Sequence, residues 1–283
     1  MPQTLIELAG DQNAPIISLA PANGFVPETY LPMLKPLMND YRVVSTPPRA
    51  LWGDGAPPDI TPEHSWYDFS VDMLNTYKQF GLKDVIGIGH SIGGIMTILA
   101  AIQRPDLFKA LILLDPVIVT HQIANWVKSE KEQGKVAAFP LADLAKKRKN
   151  EFDSVDAAFE NFHGKSIFKD WSDEVLRLYV EHGTIDCGDK RCLTWSPEWE
   201  AFYYSTYYPY VWEELPKLND LEIPILFMPA GDSDTFVPDN VRQVQELVPD
   251  ADFEIMEGMG HLFPQAEPQA ASEVIQKWLA DKF

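Results

Sequence analysis

The sequence predicts an α/β fold in which a mostly parallel central sheet is flanked by helices and carries an inserted helical lid. Three observations lead there. Short β-rich runs alternate with helical patterns at both ends of the chain. Two of the runs, Val85-Ile86-Gly87-Ile88 and Leu111-Ile112-Leu113-Leu114, are continuous rather than alternating, as strands buried on both faces of a parallel sheet read. The middle third breaks the alternation with helical patterns alone.

Taken in order, strands are expected at 4–8, 16–19, 41–45, 84–88, 110–114, 225–228 and 252–256. The stretches between them suit helical crossovers. Residues 92–102 are apolar nearly all round apart from Thr97, which predicts a helix packed beneath other layers. In the last helix Ala271, Val274, Ile275, Trp278 and Leu279 repeat at helical spacing on one face, and Pro268 stands at its start, where a missing N–H costs little. From about 118 to 210 the helical patterns fall at 122–131, 141–150, 154–162 and 172–182. Ser172 reads as an N-cap, followed by Asp173 and Glu174 in the first turn. No Pro/Gly/Ser-rich linker frames this region, so 119–212 reads as a lid on a core made of 1–118 and 213–283.

Composition narrows the function classes. The chain has 283 residues, 46% of them hydrophobic and 12% aromatic, enough for a sizeable core. Its formal net charge of -19 repels nucleic-acid phosphates and anionic membrane surfaces, so a small-molecule substrate is expected rather than nucleic acid. The one basic run, Lys146-Lys147-Arg148-Lys149, reads as a solvated helix face. Met1-Pro2-Gln3-Thr4 does not open a charged-then-apolar signal segment, and no apolar run reaches the ~18 residues of a membrane span, so a soluble, cytoplasmic protein is expected. Cys187 and Cys192 are too few for a disulfide framework and have no matching Cys or His pair nearby. With four residues between them they could bridge a hairpin or form half of a metal site, but two reduced thiols are expected, with no metal and no cofactor.

The chemistry-bearing motif is Gly89-His90-Ser91-Ile92-Gly93-Gly94, which follows the 84–88 strand and opens the 92–102 helix. A G-x-S-x-G nucleophile elbow requires this context. The serine occupies a strained turn, so the residues two before and two after it must be small for strand and helix to meet. A phosphate-binding βα turn is the alternative, but no G-K-[ST] or G-x-G-x-x-G accompanies the motif. Ser91 is therefore the candidate nucleophile.

A serine hydroxyl needs a base, and the base an orienting acid. His261 lies in the loop Glu257-Gly258-Met259-Gly260-His261 between the 252–256 strand and the final helix, at the end of the sheet where the elbow also lies. His90 sits inside the elbow with its side chain directed away, His64 precedes a helix, and His121, His163 and His182 belong to the lid. For the acid, Asp232 and Asp234 follow the 225–228 strand, and Asp115 ends the 111–114 run. The order Ser91, Asp234, His261 matches Ser…Asp…His.

On these motifs the chain resembles the α/β-hydrolase superfamily, in its branch of esterases, C–C hydrolases and cofactor-free haloperoxidases. The resemblance covers roughly 14–118 and 213–283 and is specific at Gly89–Gly94, Gly231–Pro238 and Gly260-His261. It implies that the acid stands three residues after the glycine of a G-x-x-D loop, which selects Asp234, and that Asp115-Pro116 is structural. It also implies an oxyanion hole built from the backbone N–H groups of Phe25 and Ile92, each such donor contributing about 3 kcal/mol. Where the family has His-Gly-x, this chain has Asn23-Gly24-Phe25, and the loop Pro47–Gly53 replaces an Asp-x-Arg-Gly pattern. A serine at the elbow argues against the carboxylate-nucleophile chemistry of haloalkane dehalogenases and epoxide hydrolases.

The run from Phe202 to Trp212 is unusually aromatic and falls where the lid returns to the core. It is either an aromatic wall for an apolar or aromatic substrate group or ordinary packing. Trp52, Tyr204, Tyr207 and Tyr208 are the candidate substrate-binding residues. The expected activity is hydrolysis of an ester or thioester through an acyl-enzyme. C–C bond hydrolysis, cofactor-free haloperoxidase chemistry and ligand sensing with little turnover are the alternatives.

Overall fold

The computed structural model describes residues 4–53 and 55–283. The first three residues of the N-terminal segment weighed above lie outside that range. In chain order the strands are β1 (Ile6–Ala9), β2 (Ile16–Ala20), β3 (Arg42–Ser45), β4 (Val85–His90), β5 (Phe108–Leu114), β6 (Glu151–Phe152), β7 (Thr184–Cys187), β8 (Lys190–Leu193), β9 (Ile225–Met228) and β10 (Asp252–Phe253). Seven of them form one sheet in the order β1-β3-β2-β4-β5-β9-β10. Only β1 runs antiparallel to its neighbour; the other pairings are parallel. The mostly parallel α/β sheet expected from the sequence is present.

Continuous apolar strands serve two cores because successive side chains point to opposite faces. Leu111 and Leu113 join one cluster with Phe69, Met73, Ile95 and Leu99, which come from the helices Trp66–Phe80 and Ile92–Gln103. Ala110, Ile112 and Leu114 join the other with Met33, Leu34, Ile275 and Trp278, the last two from the helix Pro268–Lys282. The helix Ile92–Gln103 is buried at ten positions from Ile92 to Ala101, as its all-round apolar pattern predicts.

β5 and β9 are adjacent in the sheet but separated in sequence by the helix-rich middle segment. There the helix Asp173–His182 starts where predicted, and the Ser172 side chain accepts from the Val175 N–H at 3.3 Å. Two expectations for this segment are corrected. It is not purely helical: β6, β8 and β7 form a small antiparallel sheet. The β7–β8 hairpin is mostly partly or fully exposed, so it lacks the apolar alternation that announces a half-buried strand. Cys187 and Cys192 are not free thiols but a disulfide that crosses that hairpin diagonally, Cys187 being opposite Lys190 and Cys192 opposite Ile185, with Cα atoms 5.8 Å apart. Among the described residues, no helix is long and apolar enough to cross a membrane.

Candidate active site

The segments that follow β2, β4, β5 and β9 meet at the carboxyl ends of these strands, where the loop holding His261 also arrives. At the end of β4, Ser91 has φ 58 and ψ -123, a conformation costly for a side-chain-bearing residue. The flanking glycines make it possible. A Cβ at Gly89 would lie 2.5 Å from the Gly93 carbonyl oxygen, and one at Gly93 would overlap the Ala20 carbonyl at the end of β2. The Ser91 N–H donates to Leu114 O on β5 at 3.1 Å, locking the elbow to the neighbouring strand.

His261 Nε2 is 3.0 Å from Ser91 Oγ, and His261 Nδ1 is 2.6 Å from Asp115 Oδ2. A carboxylate only accepts, so Nδ1 carries the proton and Nε2 is left to accept from the serine hydroxyl. The structure thus brings Ser91 and His261 together, but the acid it brings to them is Asp115, not Asp234. Asp115 is one residue past β5, beside the elbow across the β4–β5 ladder, and is fully buried with φ 38. Its Oδ1 accepts from the Ala230 N–H at 2.9 Å, and its Oδ2 from Ser233 Oγ at 2.6 Å and Thr235 Oγ1 at 3.3 Å. Thr235 Oγ1 is also 3.0 Å from His261 Nδ1. The loop after β9 therefore turns Ser233 and Thr235 inward, while Asp234 between them is exposed and makes no hydrogen bond among the described residues. Spacing from a glycine cannot tell which side of a tight turn faces the histidine.

A second chain of hydrogen bonds fixes the same loops from behind. The Ala22 N–H donates to Tyr30 Oη at 2.9 Å, and Tyr30 Oη lies 2.7 Å from His90 Nδ1. His90 Nε2 lies 2.9 Å from the His261 carbonyl oxygen. That carbonyl can only accept, so Nε2 carries the proton and Nδ1 accepts from the Tyr30 hydroxyl. Burial, followed by the nearness of His261, holds the His90 pKa well below the usual histidine range. The ring is a neutral strut, directed away from Ser91 as the sequence implies.

The two candidate oxyanion donors are unequal. Ile92 N–H, at the first position of its helix, has no hydrogen-bond partner among the described residues. The Phe25 N–H, expected as the second donor, instead closes the Ala22–Phe25 turn onto Ala22 O at 3.2 Å.

Of the aromatic candidates, Tyr207 is buried in the core against Trp66, with ring centroids 4.8 Å apart. Tyr208 packs on Tyr67 and Tyr210 at the surface, its hydroxyl 3.2 Å from Glu214 Oε1. Trp52 donates to Pro47 O at 2.8 Å within its own loop, where Arg49 also binds Asp72 at 2.9 Å. Packing explains these three aromatics. Tyr204 differs: it packs on Ala142, Ala145 and Ala201 and senses the charges of Arg148 and Asp234, and burial raises its hydroxyl pKa.

The site also contains residues the sequence did not point to. Trp171 and Tyr179 pack on Phe25, with centroids 5.5 and 5.7 Å away. Arg148 does not lie on the solvated face expected for the run 146–149. It is partly buried while Lys146, Lys147 and Lys149 are exposed, and it pairs with the buried Glu200 and donates to Tyr179 Oη at 2.7 Å. The signal was weak: one arginine among lysines, just past a helix that ends at Ala145 rather than 150.

A family model described as the alpha/beta hydrolase family matches residues 19–274. The chain belongs to the alpha/beta hydrolase family. Among its relatives in this family is a mouse sn-1-specific diacylglycerol lipase, 21% identical over 78% of this chain and 67% of the lipase. Among solved structures, an E-2-(acetamidomethylene)succinate hydrolase superposes with a TM-score of 0.74 at 15% identity, covering 98% of this chain and 94% of that one. The thioesterase domain from the curacin biosynthetic pathway superposes with a TM-score of 0.69 at 16% identity, covering 98% and 99%. At such identities the superpositions speak to the alpha/beta hydrolase fold alone, while family membership and hydrolase relatives support hydrolase activity in general.

Proposed function

We propose that this alpha/beta hydrolase cleaves an ester or thioester of a small to medium substrate through an acyl-enzyme, with Ser91 as nucleophile, His261 as base and Asp115 as the orienting acid. The observation that carries the reading is the unbroken line from Ser91 Oγ through both nitrogens of His261 to Asp115, at 3.0 and 2.6 Å. His261 Nε2 takes the hydroxyl proton as Ser91 Oγ attacks the carbonyl carbon. Asp115 then faces the imidazolium that forms, and its three protein donors keep it in place. The tetrahedral oxyanion accepts from the Ile92 N–H. His261 returns the proton to the leaving alcohol or thiol, and a water activated by the same imidazole hydrolyses the acyl-enzyme.

Residues 119–212 act in this reading as a cap on the core, since Arg148, Trp171, Tyr179 and Glu200 all come from them and surround the Asn23–Phe25 turn. The diacylglycerol lipase and thioesterase among the similar proteins are compatible with acyl transfer. Ser91→Ala should abolish release of nitrophenolate from short 4-nitrophenyl esters and labelling by a fluorophosphonate probe, with an unchanged circular dichroism spectrum. Undiminished turnover in that variant would remove Ser91 from the mechanism, and labelling of the wild type without multiple turnovers would favour a sensor over an enzyme.

A further inference from the structure

We propose that Arg148 is a carboxylate-binding residue of this site, so that the preferred substrates carry a free carboxylate a few bonds from the scissile carbonyl. This rests on the serine-hydrolase reading above and names the substrate class it leaves open.

Placement comes first. The Ala22–Phe25 turn ends β2 and packs beside the elbow, because the carbonyls of Ala20 and Pro21 are what a Cβ on Gly93 would strike. Arg148 and Glu200 lie directly over that turn. A Cβ at Gly24 would be 3.3 Å from Arg148 Nη1 and 3.3 Å from Glu200 Oε2, and Asn23 Nδ2 donates to Glu200 O at 3.0 Å. Gly24 itself has φ 83, so a glycine is needed there on backbone grounds as well as for space. The guanidinium therefore faces the turn that borders Ser91.

Donor inventory comes second. A guanidinium has five N–H groups in a planar fork that matches a carboxylate. Nη1 donates to Glu200 and Nη2 to Tyr179, and the remaining N–H groups have no partner among the described residues. The Arg148 side chain is 19% exposed and that of Glu200 11%, so the pair has lost most of its water. Burying an ion pair costs desolvation that a hydrophobic pair of similar size avoids. Glu200 and Tyr179 fix the orientation of the fork, which keeps N–H groups to spare for a ligand.

Local charge comes third. Lys165 shares the Phe162 ring with Arg148, at 4.8 Å from its Nζ and 6.0 Å from the Arg148 Cζ. Burial, and then the charge of Arg148, lowers the Lys165 pKa. Arg148 and Lys165 thus bring two cations to one side of the Phe162 ring in a chain whose net charge is -19.

The test compares 4-nitrophenyl hydrogen glutarate with its neutral methyl ester. Wild type should show a kcat/KM at least about tenfold higher for the acid, the worth of one charge-assisted hydrogen bond. In Arg148→Met that ratio should fall to near one. Since Arg148→Met strands Glu200, the double variant R148M/E200Q is measured beside it and should lose the preference in the same way while keeping the fold. Binding separates this inference from the serine-hydrolase reading: Ser91→Ala should bind monomethyl glutarate by calorimetry, and S91A/R148M should not. Binding by Ser91→Ala without turnover by wild type would sink the hydrolase reading alone. Turnover with no preference for the acid, or a preference that survives R148M/E200Q, overturns the role of Arg148. Neither turnover nor binding overturns both.

Discussion

The elbow at 89–94 and the acid station formed by Asp115 with the loop 230–235 hold functional side chains at neighbouring strand ends by opposite means. The elbow is local. Ser91 is forced into its conformation by its own turn, and what it asks of distant residues is little: no side chain fits at Gly93 against the Ala20 carbonyl, and the Ser91 N–H donates to Leu114 O. The acid station is assembled from two segments more than a hundred residues apart: the carboxylate comes from β5, and the groups that hold it, Ala230 N–H, Ser233 and Thr235, come from the loop after β9. A local device can be read from consecutive residues, whereas a shared one depends on which of several loops reaches a common point.

The sharpest way to break that contrast is to exchange the two aspartates. Asp115→Asn should lower kcat on 4-nitrophenyl esters by about 10⁴-fold, the typical effect of removing the acid that fixes the histidine tautomer. Asp234→Asn should stay within about threefold of wild type, because Asp234 is exposed and makes no hydrogen bond to His261. The reverse ranking, read from steady-state kinetics of both variants, would return the acid role to the loop after β9.

A smaller effect sharpens the comparison. Ser233 donates to Asp115 Oδ2 at 2.6 Å and accepts from the N–H groups of Thr235 and Phe236 at 3.1 and 2.9 Å. Ser233→Ala removes both functions, so it should lower kcat by about tenfold, in line with one charge-assisted hydrogen bond, while changing KM little. An unchanged kcat with reduced stability would make Ser233 a structural residue only.

How much of this was legible follows from the same contrast. The mostly parallel sheet, the buried helix after Ser91 and the elbow were readable because β4, β5 and the helix Ile92–Gln103 are buried all round and the glycines are fixed by local sterics. His261 was readable by position in a loop after the last strand region. Asp115 was visible as a candidate, yet the family spacing selected Asp234, because a spacing from a glycine does not say whether a residue of that loop faces the histidine or the solvent. Arg148 was hidden because a basic run gives no hint that one member turns inward when its helix stops at Ala145. The β7–β8 hairpin was missed because solvent-exposed strands leave no apolar alternation to find, and without the hairpin its disulfide could be only an alternative.

The smallest effect concerns the strut behind both stations. His90 is buried between Tyr30 Oη and the His261 carbonyl, and burial depresses its pKa below the unfolded value near 6.5. Between those two pKa values the unfolded chain binds a proton at His90 that the folded chain does not. Stability therefore rises with pH through this window and is lost as pH falls below about 6.5, with a slope of at most about 1.4 kcal/mol per pH unit for one group. His90→Gln keeps a donor and an acceptor but cannot titrate. Its Tm should lie below that of wild type at pH 8, where the imidazole is neutral in both states and only the hydrogen-bond geometry differs. From pH 6.5 downward the gap should narrow, because wild type loses stability to the His90 proton and the variant does not. A gap that stays constant across that range in differential scanning calorimetry would mean that His90 binds its proton equally in both states, and the strut would then hold the elbow and the His261 loop together without any acid sensitivity of its own.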